Sequence, residues 1–394
     1  MSILKRITSS PLVAAAFLMA TSAIGPGFLT QTAVFTDRLG ASFAFVILVS
    51  IILDIGVQMN IWRILTMSGM RAQDIANGVV PGSGYLLSAL IAIGGLAFNV
   101  GNLAGTGLGL QVLTGMATET GAALSAAVAV GIFLMRDGLK WMDGLARGLG
   151  MIMILLTGYV VLHAHPPVAL ALKNSIFPEK LDAVSVITLV GGTVGGYICF
   201  AGGHRLLDSG VKGVEMLPRV DRSAITGITL AAVMRSLLFL AALGVVSQGL
   251  VLQQNNPAAS VFQLAAGHNG YMLFGMVMWC AAITSVTGSA YTSISFIKTF
   301  HPSLARNEKW LIVAFIAISA LTYVAIGQPV KVLVAVGALN GFILPLALGL
   351  MLLAAYRREW MKGYRHPAWL TLFGVVVIIA LLWISVITLR KGIW

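Results

Sequence analysis

Apolar segments of about 20 residues, each long enough to cross a lipid bilayer, recur along the whole chain and are separated by short polar segments. We count eleven of them, the first beginning at Pro11 and the last ending near residue 388. The first and the sixth contain residues that interrupt helices. The pattern predicts an all-α polytopic membrane protein with eleven membrane-spanning helices, two of which are broken.

The sixth apolar segment is interrupted by the sequence GGTVGGYICFAGGHR, which runs from Gly191 to Arg205. A glycine in a helix interior costs roughly 1 kcal/mol relative to alanine, and this stretch contains six glycines. Non-helical backbone at membrane depth is tolerated where it lines a cavity enclosed by protein, so a broken helix here would offer backbone groups to a ligand. A face of small residues for close helix packing is the alternative interpretation.

The first segment, at about residues 11 to 36, contains the sequence GPGF from Gly25 to Phe28. Proline removes a backbone donor and glycine relaxes the chain, so two half-helices are expected. Interruptions at comparable places in two halves of a chain are typical of transporters built from inverted repeats, whose substrate site lies between the breaks. We therefore expect a single transmembrane domain, residues 1–394, composed of a first repeat (11–164), an inverted second repeat (183–357) and one additional helix (366–389).

Composition and charge agree with a membrane protein and indicate its orientation. The chain is 58% hydrophobic and 10% charged, with a mean hydropathy of +0.94, which excludes a soluble globular protein. The net charge of +12 does not indicate nucleic-acid binding, because the Lys and Arg residues lie in short loops and form no continuous stripe. Of the 25 Lys and Arg residues, 17 lie on one side of the predicted topology and 6 on the other. The positive-inside rule then places the N-terminus in the cytoplasm and the C-terminus outside, in a plasma (bacterial inner) membrane.

The sequence gives no sign of an enzyme or of a resident cofactor. Metal-binding motifs of the HExxH type and nucleophile motifs of the GxSxG type are absent. Cys199 and Cys280 both fall within predicted spans, which does not suggest a disulfide framework or a thiolate metal site. We expect a monomer whose partners are the lipid bilayer and a small-molecule substrate.

Polar residues at membrane depth are candidate functional positions. In the second span, Asp54 and Gln58 stand one helical turn apart, and Asp54 either acts in transport or is a structural partner for Arg235 of the seventh span. His204 and Arg205 follow the sixth-span break and could neutralise an anionic substrate, although Arg205 could instead pair with Asp208. The eighth span is rich in hydroxyl groups, which either bind an ion or hydrogen-bond to their own helix.

These interrupted spans resemble those of the Nramp family of divalent-metal transporters, which have the LeuT fold. The sequence GPGF stands where the family has Asp-Pro-Gly-Asn, and GTVGGY, residues 192 to 197, is similar to the family's sixth-span motif Ala-Thr-Val-Met-Pro-His. Asn99 and Asn102 precede Gly105 and Thr106 where the family has an Asp and a Glu before Gly-Thr. The resemblance covers most of the chain and implies a LeuT fold with five plus five inverted helices and one appended helix.

The same comparison of motifs shows that the family's metal ligands are missing. Its first-span Asp and Asn and its sixth-span Met are replaced here by Gly25, Phe28 and Gly195. Carboxylate and soft sulfur ligands select transition metals, so no metal site is expected at these positions. The acidic pair that the family uses for proton passage is replaced by Asn99 and Asn102, so proton coupling by that route is not expected.

The resulting hypothesis is a secondary transporter that imports a small organic acid or amino-acid-like carboxylate by alternating access. Half-helix N-termini carry partial positive charge and free amides, and a glycine-lined space allows close backbone approach, which suits a carboxylate. The family resemblance extends to Nramp-like proteins encoded beside 5-oxoprolinase genes, which makes 5-oxoproline a candidate substrate. The candidate substrate-binding residues are Gly25, Pro26, Gly27, Phe28, Gln58, Asn99, Gly192, Thr193, Gly195, Gly196, Tyr197 and Asn340.

The coupling ion is expected to be Na⁺ or H⁺. The candidate residues for ion coupling are Asp54, Asn102, His204, Asp208, Arg235, Thr284, Ser285, Thr292 and Ser293. The alternative hypothesis is a carrier of a divalent cation, Mg²⁺ or Mn²⁺, which would pass partly hydrated through a remodelled site of carbonyl and amide oxygens. A sensor or scaffold without transport activity is a further alternative.

Overall fold

The computed structural model describes residues 11–135 and 138–391, and all regular structure in these two ranges is helical. Seventeen α-helices are numbered here in chain order. They are α1 (Pro11–Ala23), α2 (Pro26–Leu39), α3 (Phe43–Ser68), α4 (Ala72–Val79), α5 (Ser83–Thr114), α6 (Thr118–Leu134), α7 (Gly138–Ala164), α8 (Val168–Ile176), α9 (Ala183–Thr193), α10 (Ile198–Asp208), α11 (Leu217–Ser247), α12 (Pro257–Ile297), α13 (Pro302–Arg306), α14 (Glu308–Ile326), α15 (Pro329–Ala354), α16 (Arg358–Met361) and α17 (Ala368–Lys391). Short 3-10 helices lie at Gly40–Ser42 and Val214–Met216.

Both predicted helix breaks are present. Between α1 and α2 the chain bends at Ile24 and Gly25, where Gly25 is extended (φ −108°, ψ −174°), and Pro26 begins the next helix. Between α9 and α10 the break is the four-residue turn 194–197, in which Gly196 has a positive φ of 52°. The expectation that the first and sixth spans are broken is therefore confirmed.

The helices form two groups around these breaks. The two broken helices pack with α3 and α11, and a second group consists of α5, α6, α12 and α14. Helix α15 joins the groups because it packs against both α9 and α5, and α17 lies outside it against α15 and α3. Helices of both groups therefore lie around the two breaks.

Eight helical segments in the described ranges are long and apolar enough to cross a membrane. A ninth is added if Met151–Ala164 and Val168–Ile176, bent by 108°, form one broken span. The predicted number of eleven stays a prediction, because α1 with 13 residues and α6 with 17 are shorter than the ~20 residues of an ordinary span. The eighth predicted span lies within α12, which is kinked at Gly267.

The glycines of the sixth span have two different roles. A Cβ atom at Gly191 would meet the backbone of Gly337 and Gly341, so α9 and α15 are in direct backbone contact. A Cβ atom at Gly195 would lie 2.6 Å from Gly191 Cα and 2.9 Å from Asn340 O. Both interpretations of the glycine-rich sequence therefore apply, because Gly195 and Gly196 lie in the break, while Gly191 and Gly195 are needed for close packing.

Candidate substrate site between the helix breaks

Arg235 of α11 connects the two broken helices. Its guanidinium carbon lies 4.0 Å from the centre of the Phe28 ring in the first turn of α2. Its Nη1 donates a hydrogen bond of 2.8 Å to Thr193 Oγ1, at the end of α9. The side chain is only 3% exposed, so a cation is buried where the two breaks meet.

The remaining donors of Arg235 are unused. Neither Nε nor Nη2 has a hydrogen-bond partner. Buried donors without partners are costly, and a guanidinium with two free N–H groups matches the two oxygens of a carboxylate. The Phe28 ring stabilises the cation through its face and leaves the edge of the guanidinium available. Chemically, this arrangement is suited to bind a carboxylate.

A buried carboxylate, Asp54 of α3, lies beside the same cation. Asp54 is 1% exposed, interacts electrostatically with Arg235 and lies beside the hydroxyl group of Thr193. It makes no direct hydrogen bond to Arg235, and its Oδ1 atom has no hydrogen-bond partner at all. One turn further along α3, both polar atoms of the Gln58 amide also lack partners. Asp54 thus balances the charge of Arg235 without occupying its donors.

Neutral polar groups surround the first break. A Cβ atom at Gly25 would lie 3.2 Å from Ser285 Oγ and 3.4 Å from Asn102 Oδ1. Asn102 Nδ2 and the Tyr197 hydroxyl have no hydrogen-bond partner of regular geometry, although the two side chains are neighbours. Tyr197 packs edge-on against Phe98, with ring centres 5.4 Å apart. These groups could hydrogen-bond to a neutral part of a ligand.

Other predicted site residues are held by the protein itself. Asn99 donates to Ser319 Oγ at 3.0 Å and accepts from Ser289 Oγ at 2.9 Å. The amide nitrogen of Asn340 donates to Gly94 O at 3.2 Å and to Val336 O at 3.0 Å, while its Oδ1 atom has no partner. The structure thus gives Asn99 and Asn340 bonds that hold helices together.

The glycines and Pro26 face neighbouring helices instead of open space, contrary to the expectation of a glycine-lined cavity. An added Cβ atom at Gly27 would lie 3.6 Å from Leu333 O, one at Gly192 would lie 2.7 Å from Gln31 Oε1, and one at Gly196 would overlap the Asn340 side chain. The Pro26 ring fills the position that a side chain at residue 105 would need. The reason is that small residues let the half-helices approach other helices closely.

His204 and Asp208 lie away from the breaks, near the other end of α10. At 1.5 Å per residue, Asp208 is about 15 Å along the helix from Ile198. The backbone N–H of Ala72 donates to His204 Nε2 at 3.3 Å, and His204 Nδ1 lies 3.4 Å from Ser295 Oγ. Arg71 donates to Asp208 Oδ1 at 2.6 Å. These contacts join α10 to α4 and α12 at the end that the charge pattern assigns to the cytoplasm.

The hydroxyl groups of α12 do not form one cluster. Thr284 donates to Ala281 O of its own helix at 2.8 Å, and Thr292 O accepts from Ser295 Oγ at 2.6 Å. Ser285 faces Gly25, whereas Ser293 faces Gly95 and its hydroxyl has no partner. Only Ser285 is therefore placed at the first break.

Gln31 was not recognised in the sequence as a site residue. It is fully buried in α2, its Nε2 donates to Leu333 O at 2.7 Å, and its Oε1 has no partner near Gly192. A polar residue three positions after the GPGF sequence in an apolar span was the available signal.

A cavity of about 590 Å³ opens near the end of α2. It is lined by the ends of α2 and α5, by the α11–α12 connection and by the start of α15, and includes Asp37, Gln111, Asn255 and Lys331. The charge pattern assigns this end of the bundle to the outside.

Within the described residues, no group of three or more His, Cys, Asp or Glu side chains is placed to hold a metal ion.

The family model for natural resistance-associated macrophage protein-like proteins (Nramp) matches residues 16–391. The chain belongs to the Nramp family. It is therefore a membrane transporter and not an enzyme, as expected from the sequence. The uncharacterized membrane protein YcsG of Bacillus subtilis (strain 168) is 57% identical over 380 residues, covering 96% of this chain and 94% of that protein.

Solved structures show the same fold at low sequence identity. The manganese transporter of Eremococcus coleocola, solved with an aromatic bis-isothiourea-substituted compound, matches with a TM-score of 0.79 and 12% identity, covering 99% of this chain and 88% of that chain. MhsT in complex with L-phenylalanine matches with a TM-score of 0.64 and 16% identity, covering 96% of this chain and 98% of that chain. The predicted LeuT fold of this Nramp-family chain is thus confirmed.

Proposed function

We propose that this Nramp-family chain imports a small organic acid or amino-acid-like carboxylate, and that Arg235 binds the carboxylate group. The observation that supports the proposal is the buried guanidinium between the two breaks, with Nε and Nη2 free to donate. A fork of two N–H groups matches a carboxylate in shape and charge. Asn102 and Tyr197 then offer hydrogen bonds to the rest of the solute.

The metal alternative is weaker at this site. Matching structures include a manganese transporter and a protein bound to L-phenylalanine, so the fold accommodates both kinds of substrate. A buried Arg235 repels a divalent cation, and Asp54 offers a single negative charge against it. The positions that carry metal ligands in the family hold Gly25, Phe28 and Gly195.

The proposal predicts which ligands stabilise the purified protein. Thermal unfolding midpoints would be measured with 5-oxoproline, lactate, pyruvate and proline, and separately with Mg²⁺ and Mn²⁺, each with and without Na⁺. A ligand that binds only the folded state raises the midpoint with its concentration. We expect at least one carboxylate to do so in the natural protein and not in Arg235→Gln, and the two divalent cations to have no saturable effect.

The opposite result would replace the proposal. Saturable stabilisation by Mg²⁺ or Mn²⁺ together with no response to any carboxylate would mean that the chain carries a metal. A carboxylate response that requires Na⁺ would identify Na⁺ as the coupling ion, and Ser285 and Asn102 beside Gly25 would be the first positions to test.

We further propose that the protein lies in the bacterial inner membrane with its N-terminus in the cytoplasm, in agreement with the charge pattern.

A further inference from the structure

Asp54 is buried beside Arg235, and binding of a carboxylate to Arg235 does not by itself explain why an acidic residue lies there. This inference rests on the proposed function, because it concerns the same guanidinium. Asp54 and Arg235 are buried side by side, yet Arg235 uses its one engaged nitrogen, Nη1, for Thr193. When both groups are ionised, the pair has no net charge before a solute binds, and no direct hydrogen bond joins the two side chains.

A bound carboxylate would disturb that balance. With Asp54 ionised, Arg235 and a monocarboxylate together give a net charge of −1 in a place closed to solvent. An uncompensated charge in a low-dielectric interior is strongly unfavourable, so binding must bring in a cation or neutralise an acid. Asp54 is the acidic group beside the guanidinium, and it has one oxygen with no hydrogen-bond partner.

We propose that Asp54 takes up one proton for each monocarboxylate that binds Arg235, and that the solute and the proton cross the membrane together. The proton comes from water on the side of loading and forms an O–H bond at an Asp54 oxygen. It returns to water on the opposite side when the carboxylate leaves. One anion and one proton move in the same direction, so transport carries no net charge.

The surroundings of Asp54 allow both protonation states. The groups that act on it electrostatically are Arg235 from α11 and the Cys199 thiol from α10. Helices α2 and α9 contribute the uncharged Phe28 and Thr193 beside the pair. Thr193 Oγ1 accepts from Arg235 and donates to Leu189 O, at 2.8 Å in each case. A hydroxyl oxygen has two lone pairs, so it keeps one acceptor position for a protonated Asp54.

The other acidic and basic candidates are occupied elsewhere. Asp208 is paired with Arg71 at 2.6 Å, and His204 accepts from the Ala72 N–H at 3.3 Å. Both lie at the far end of α10 and contact neither Phe28 nor Thr193 in the bonds described above. Asn99 and Asn102 are amides and cannot carry a proton at physiological pH. Coupling at Asp54 would therefore differ from a route through the third span.

The test is uptake of labelled 5-oxoproline, lactate and pyruvate into liposomes that contain the full chain. In the natural protein, an inward proton gradient should drive accumulation of the bound carboxylate at least tenfold above protein-free liposomes. Clamping the membrane potential with valinomycin and K⁺ should not change the rate. Asp54→Asn should still be stabilised by the carboxylate and catalyse its exchange, but binding should lose its pH dependence and the gradient should drive no accumulation.

Controls separate a folding defect from loss of coupling. Glu215→Gln also removes one carboxylate but lies on the exposed surface, so it should behave as the natural protein. If Asp54→Asn does not fold, Asp54→Ser provides the same neutral position with a smaller side chain. Accumulation by the Asn or Ser variant in a proton gradient would overturn the proposal, and so would pH-independent binding of lactate or pyruvate to the natural protein.

The results also distinguish this inference from the proposed function. Accumulation of a carboxylate that is driven by Na⁺ and not by protons would overturn the role of Asp54 and leave Arg235 as the carboxylate site. Absence of binding for every carboxylate, with binding of Mg²⁺ or Mn²⁺, would overturn both.

Discussion

Arg235 shows how one side chain can determine the chemistry of a site. It contacts Phe28 in the first broken helix and Thr193 in the second, and two of its three nitrogens have no partner. A lysine could carry the charge but could not present two parallel donors while lying flat on an aromatic ring. The shape of the guanidinium should therefore matter as much as its charge.

Arg235→Lys should weaken carboxylate binding at least tenfold, a change of ~1.4 kcal/mol. The variant keeps the positive charge and loses the bidentate contact. Affinity would be measured from the dependence of the unfolding midpoint on carboxylate concentration. Arg222→Lys, an exposed arginine on the same helix, is the matched control and should bind as the natural protein does. Equal affinity in both variants would show that Arg235 acts through charge alone.

Gly196 is the residue whose backbone defines the second break. Its φ of 52° is unfavourable for residues with a Cβ atom, and a Cβ there would overlap the Asn340 side chain. Gly196→Ala should destabilise the protein by more than the ~1 kcal/mol of the backbone effect alone. Gly210→Ala is the matched control, because Gly210 has φ 74° and open space around its Cα.

The comparison of these two glycine variants isolates the contact with Asn340. The unfolding midpoints of Gly196→Ala and Gly210→Ala would be measured under identical conditions. A midpoint for Gly196→Ala that falls no further than that of Gly210→Ala would mean that the Asn340 side chain moves away at little cost.

At the scale of helices, sequence and structure agree on where the chain breaks but not on what each glycine does. Proline at residue 26 and the glycines around residue 195 are local signals, and local signals predicted both breaks. Whether a glycine lies in a turn or against a neighbour depends on the helix opposite, as with Gly191 and Gly341, which are 150 positions apart. The contacts of Arg235 with Phe28 and Thr193 could not be predicted from the sequence for the same reason.

The contacts between α4 and α10 are expected to close the end of the bundle that the charge pattern assigns to the cytoplasm. Arg71→Gln removes the ion pair with Asp208 and should make the interior more accessible from that side. The buried Cys199, close to Asp54, provides a native reporter once Cys280 is replaced by alanine. Its labelling by a membrane-impermeant maleimide in inside-out vesicles should rise up to about fivefold, since an ion pair near the surface is worth up to ~1 kcal/mol.

The exposed Arg219 gives a control for that measurement. Arg219→Gln removes a positive charge from the same side of the predicted topology without breaking the pair, and it should leave Cys199 labelling unchanged. Equal labelling of the Arg71→Gln and Arg219→Gln proteins would show that the pair does not restrict access.

Attachment of α17 should depend on pH through His366, which lies just before that helix. His366 Nε2 donates to Asn60 Oδ1 of α3 at 2.8 Å, and burial, with a smaller contribution from Arg63, lowers its pKa to about 4. An unfolded histidine has a pKa near 6.5, so the unfolded state binds more protons between these values and stability falls as the pH drops from about 6.5 to 4.

His366→Gln removes this titration, so the difference in unfolding midpoint between natural protein and variant should shrink as the pH is lowered from 7 to 5. His268→Gln, at an exposed position of α12, serves as the control. A difference that is the same at every pH would show that His366 does not titrate in this range.

For the whole molecule, two groups of helices meet at the breaks, and a cavity of about 590 Å³ opens near the end of α2. Apolar segments and charge predicted the membrane class, and proline and glycine predicted the two breaks, because all of these are properties of single segments. The packing of α15 between the groups, and the meeting of Phe28, Thr193 and Arg235, involve residues more than 40 positions apart and had to be seen in three dimensions.

The hydrogen bond between Arg235 and Thr193 also has a consequence for inhibitors. A solute that binds the free Nε and Nη2 atoms leaves Nη1 bonded to Thr193, so the guanidinium connects the solute to α11 and α9 together. An acid long enough to reach Asn102 would also contact α5, in the other group of helices. A short one, such as formate, would occupy the arginine without that second contact, and we expect it to block uptake without being carried.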